Sequence, residues 1–116
     1  MNGERGFTIV EVIIAMIVLT VGLLGLVSTA ALTTRMISQG QRYSVAAALA
    51  NQRFEILRAT PCASMAGGSN TEGNVQVAWT VTAIQANRAR QSTVSVTSPT
   101  GRGTRTDQFQ TIIYCR

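Results

Sequence analysis

The chain has 116 residues and a formal net charge of +5, set by ten basic residues, all of them Arg, against five acids, with no His and two Cys. That length allows one small folded unit. Without His there is no imidazole base, and no Cys/His ligand set, CxxC pair or Gly-rich phosphate loop stands in the sequence, so neither an enzyme nor a metal or cofactor protein is expected.

The first element is apolar. Positions 12–34, between Glu11 and Arg35, carry no charge and are mostly hydrophobic, whereas the rest of the chain is polar and rich in Thr, Ser, Gln and Arg. Three readings of the segment compete. It is long enough for a membrane anchor. It also resembles a secretory signal cut after Ala30, although the apolar run from Val12 to Val27 exceeds the usual h-region and Arg5 is offset by Glu4. The third reading turns on Gly6-Phe7-Thr8-Ile9-Val10-Glu11. A carboxylate at the start of a membrane helix is costly and needs a partner. The first two readings give Glu11 no purpose; packed subunits do, because a cleaved chain would bring a positive N-terminal amine close to a neighbour's Glu11.

Gly-Phe-Thr-x-x-Glu followed by an unbroken apolar run resembles the N-terminal motif of type IV prepilins and type II secretion pseudopilins. The Val21–Leu26 segment is similar to minor pilins of the PilV type, and the resemblance extends from residue 1 to about residue 58. It implies a leader over 1–6, cleavage by a prepilin peptidase between Gly6 and Phe7, N-methylation of Phe7, and a docking role for Glu11. It implies a single-pass precursor in the inner membrane, with residues 7–34 as transmembrane and later filament-core helix, and a periplasmic or extracellular head over 35–116. The partners it implies are other pilin subunits and the pilus assembly machinery, in a surface pilus or a periplasmic pseudopilus. Arg5 fits cytoplasmic retention of the N-terminus. Many members carry a proline in the apolar half, and this chain has none before Pro61. Gly22 and Gly25 are the local weak points, each costing about 1 kcal/mol of helix propensity; they read equally as a bend or melted turn and as close-packing sites between helices.

The helical pattern continues beyond the apolar run. Met36, Gly40, Tyr43, Ala47, Ala50, Phe54 and Leu57 recur at spacings of four and three, which predicts an amphipathic helix over 35–59. Pro61 stops it and disfavours helix at Thr60. A helix from about Phe7 to Ala59 is too long for a domain of this size to bury, so its first half needs lipid or other subunits.

Residues 62–74 are rich in Gly, Ser, Asn and Ala and read as a loop. Three alternating runs follow. Val75, Val77, Trp79, Val81 and Ala83 share one face of a strand, Val94 and Val96 mark a shorter second one, and Phe109, Thr111, Ile113 and Cys115 line a third. Polar loops at 85–91 and 98–105 make the simplest topology an antiparallel meander over 75–115. Its inward row, led by Trp79, Val81, Phe109 and Ile113, would cover the Tyr43–Leu57 stripe. The expected fold class is therefore α+β and pilin-like, with the C-terminal half of a long N-terminal helix packed on a small three-stranded sheet. In an extracytoplasmic domain with a thin core, a disulfide joining Cys62 and Cys115 is the natural reading, against two separately buried thiols.

The Arg residues form no dense block and read as charge spread over a solvated surface. Pili can bind DNA, and Arg88, Arg90, Arg102 and Arg105 fall in the expected loops. Successive hairpin loops lie at opposite ends of a meander, however, so these residues form no single patch and DNA is not an expected partner.

Overall fold

The computed structural model describes Gly3 and residues 6–116. The element order is one long helix, a short 3-10 turn and four strands: α1 Ile9–Ala59, the turn Cys62–Ser64, β1 Gly68–Glu72, β2 Val75–Ile84, β3 Ala89–Thr100 and β4 Gly103–Tyr114. The chain divides into two compact units, Met1–Gly40 and Gln41–Arg116.

In the first unit α1 runs unbroken through Gly22 and Gly25, and a Cβ built at either glycine would meet open space. Its apolar side chains from Ile9 to Ile37 are all exposed. The helix is long and apolar enough to cross a membrane.

In the second unit the end of α1 packs on one face of the sheet, the α+β arrangement expected from the sequence. The core joins Ala46, Ala50, Phe54 and Leu57 of the helix to Val77, Val94, Val96 and Ile113 of the strands, with Trp79, Val81 and Phe109 packed against it. The helical contribution differs from the expected stripe: Ala46 is buried, and Ala47 only partly so. Tyr43 stays half exposed but its ring lies 5.6 Å from that of Phe109. After Ala59 the helix ends before Pro61, and the Thr60 N–H donates to the Leu57 carbonyl at 3.1 Å.

The sheet is an antiparallel meander in the order β1-β2-β3-β4, with four strands where three were expected. The added strand lies inside the segment read as a loop. All five residues of β1 are exposed, so it has no apolar alternation to signal it. It forms because Gly73 supplies φ +65° at the first position of a two-residue hairpin, which aligns Glu72 with Val75 and Gly68 with Trp79. A Cβ on Gly68 would come within 2.8 Å of Trp79 Cζ2, so the close approach of this edge strand to the indole requires glycine.

The second and third expected strands also run further than the alternation suggested, to 12 residues each. Thr, Ser and Gln extend them, and the β-branched Thr suits a half-solvated pleat as Val does. The connections shrink accordingly. Only Gln85–Arg88 separate β2 from β3, with Gln85, Ala86 and Asn87 all at positive φ, and only Gly101 and Arg102 separate β3 from β4.

Cys62 and Cys115 are joined in a disulfide, with Cα atoms 5.8 Å apart, which fastens the end of β4 to the segment after the helix. The Cys115 N–H also donates to the Arg88 carbonyl at 2.9 Å.

Candidate functional site

The chemistry singled out by the sequence lies at the start of α1. Thr8 caps the helix. Its Oγ1 accepts a hydrogen bond from the Glu11 backbone N–H at 3.3 Å, and its carbonyl accepts from the N–H groups of Glu11 and Val12 at 3.1 and 3.2 Å. With Ile9 as first helical residue, Glu11 is the third, so Thr8-x-x-Glu11 has the spacing of a capping box. Phe7 therefore lies just outside the helix, where the sequence placed it inside.

Glu11 thus has two local reasons to be acidic. It sits in the first turn, where the helix dipole favours a negative charge by about 0.3–1 kcal/mol, and it occupies the box position. Neither consumes the carboxylate: among the described residues no cation forms a salt bridge with it, the ion pairs being Arg58–Glu55 at 2.7 Å and Arg105–Asp107 at 3.1 Å. Around it the surface is apolar. Phe7, Val12, Ala15, Met16 and Leu19 line a shallow hollow with Glu11 on its wall. Phe7 itself is 82% exposed.

The rest of the apolar run satisfies its own polar groups. Thr20 Oγ1 donates to the carbonyls of Met16 and Ile17 at 2.9 Å each, Ser28 Oγ to Leu24 at 2.9 Å, Thr33 Oγ1 to Thr29 at 2.9 Å and Thr34 Oγ1 to Ala30 at 3.0 Å. Hydroxyls bonded back onto their own helix add little cost in an apolar medium. Glu11 is then the one charged group of the helix as far as Arg35.

The remaining sequence-marked residues are dispersed. Gly6 lies next to Phe7 and is exposed, with open space where a Cβ would stand. Of the expected leader, Met1, Asn2, Glu4 and Arg5 lie outside the described residues. Arg88 and Arg90 stand at one end of β3, and Arg102 and Arg105 by the turn at its other end. Arg53 is instead held on the core, its guanidinium carbon 3.8 Å from the centre of the Trp79 ring, a cation–π contact. The Trp79 indole N–H donates to the Ala66 carbonyl at 3.1 Å. Sequence reasoning passed over two residues here: Thr8, whose capping role was legible in its spacing to Glu11, and Arg53, whose stacking has no local signal.

Residues 1–27 match the family model described as a prokaryotic N-terminal methylation motif. The match covers Gly6, Phe7, Thr8, Glu11 and the first turns of the apolar helix, and it supports a type IV pilin-like or pseudopilin precursor. No curated protein and no solved structure matches the chain.

Proposed function

We propose that this chain is a structural subunit of a type IV pilus, a minor pilin, cleaved by a prepilin peptidase between Gly6 and Phe7 and methylated on the new amino group of Phe7. The observation that carries this reading is a carboxylate without a cationic partner among the described residues, on the first turn of an exposed apolar helix that directly follows a matched methylation motif. In water such a helix would leave a large apolar surface exposed, and burying it among identical helices is favourable at roughly 25 cal/mol per Å². A lone carboxylate buried with it needs a cation. The amine of a neighbouring Phe7, freed by the cleavage and then methylated, would be that cation.

In this reading residues 7–34 form the membrane span of the precursor and then the filament core, and residues 35–116 form the head outside the membrane. The placement among minor pilins rests on the similarity of the Val21–Leu26 segment to that class; low abundance in sheared filaments is the expected outcome, and a dominant band there would assign it to the major subunit. Docking through Glu11 is tested by Glu11→Ala. The variant should be cleaved at Gly6 like the wild type yet fail to enter filaments in a shearing assay, and normal incorporation would refute the pairing role.

A further inference from the structure

The strands distribute their charges in reverse of the usual pattern. A solvated sheet face normally carries charge, at roughly a quarter to a third of surface positions, while the covered face is apolar. Here the charged strand residues are Glu72, Arg90, Arg105 and Asp107. By register Glu72 aligns with Val75, Arg90 with Ile113, Arg105 stands two residues from Asp107, and Asp107 aligns with Val96. Every one of them therefore belongs to the face that α1 covers. The outer face carries no charged side chain on any strand.

What that face carries is neutral and hydrogen-bonding. Thr80, Thr93 and Gln110 align across β2, β3 and β4, and Ser95 aligns with Gln108 in the next row. Beyond them Thr97 and Thr106 bond to each other through their hydroxyls at 2.9 Å, which orders that row. At the far end the face turns apolar, with Tyr114 66% exposed and Ile112 48% exposed beside it. Thr suits strands for its β-branch alone, but strand propensity does not explain why ten Arg and five acids are all kept off these positions.

We propose that the outer sheet face is a docking surface for a neutral polysaccharide. Hydroxyls and carboxamides each both donate and accept, and so does every hydroxyl of a polyol, so the two surfaces can replace one another's water in both senses. Tyr114 and Ile112 offer an apolar platform for a sugar ring. Charge complementarity selects against the other occupants. A polyanion is drawn to Arg side chains, which this face lacks, and an apolar partner would strand its hydroxyls and amides without hydrogen bonds. The proposal is independent of how the N-terminus is processed.

The test is co-sedimentation of the full chain, in mild detergent, with three insoluble neutral polysaccharides: amorphous cellulose, chitin and mannan. The wild type should be retained by at least one of them, with no loss when salt is raised. The double substitution Thr93→Glu and Gln108→Glu, at solvent-facing positions, should reduce retention by about tenfold while leaving the Trp79 emission spectrum unchanged. Arg102→Gln, in the β3–β4 turn, should bind like the wild type. Retention by none of the three, retention abolished by salt, or equal retention of the double variant overturns the proposal. So does a change of oligomeric state on double substitution without a change in retention, which would make the face a contact between copies.

Discussion

Replacing both Cys62 and Cys115 by Ala removes the one covalent tie between the last strand and the segment after the helix. The bond spans a sequence separation of 53 residues, and closing a loop of that size in the unfolded chain corresponds to about 4 kcal/mol. The unit it stabilises, Gln41–Arg116, is small. At roughly 0.05–0.15 kcal/mol per residue such a unit has only about 4–11 kcal/mol of stability in total. Loss of the disulfide should therefore lower the unfolding midpoint by about 15–30 °C, taking roughly 4–8 °C per kcal/mol for a domain of this size. Trp79 is the right probe. It is the sole Trp, it packs against the core, and its indole N–H is bonded to Ala66 just after the 3-10 turn. Its fluorescence reports this unit and ignores the apolar helix, which detergent would keep folded. A midpoint within about 5 °C of the wild type, where loop entropy requires at least 15 °C, would refute the reasoning.

Other substitutions test the core and the cap. Phe54→Ala empties the centre of the helix–sheet contact and should cost about 3–5 kcal/mol, read as a lower urea midpoint of Trp79 fluorescence. Ser92 is fully buried and its Oγ has no hydrogen-bond partner among the described residues; Ser92→Ala should stabilise by about 1 kcal/mol in the same titration. Gly68→Val drives a side chain into the Trp79 ring and should destabilise by about 1–3 kcal/mol with a shifted emission maximum, whereas Gly22→Ala, with open space at its Cβ, should be neutral or favourable to the helix. Thr8→Ala should cost about 1 kcal/mol of helix capping, seen as faster amide exchange at Glu11 and Val12 in micelles, with Thr8→Ser restoring it.

Apart from its start, set two residues too early at Phe7, the helix was legible because its signals are large: an apolar run that no loop could carry, a four-and-three spacing after it, and Pro61 as a stop. Trp79, Val81, Phe109 and Ile113 were legible for the same reason, since each alternates with polar neighbours. The parts that escaped lack such contrast. β1 buries none of its Gly-Ser-Asn-Thr-Glu residues and is defined only by hydrogen bonding to β2. The ends of β3 and β4 that meet at their turn mix Thr, Ser and Gln with Pro99, Arg105 and Asp107 and carry no apolar alternation. Ala46 and Ala47 are adjacent and equally small, so the stripe could shift by one residue without any change in pattern. The tight turn at Gln85–Asn87 holds three residues at positive φ, and only Asn87 is of a type that favours it. In the candidate site, the Gly6-to-Glu11 signature was plain because it joins a charge to an apolar run, and Thr8 was obscured by belonging to the same signature.

We propose that a carboxylate with no cationic partner among the described residues, on the first turn of an exposed apolar helix, marks a chain cut between Gly6 and Phe7. Mass spectrometry of the mature N-terminus tests it most directly. The mature chain should begin at Phe7 and carry one added methyl group on its amine. A chain beginning at Ala31, or one retaining Met1, would contradict it.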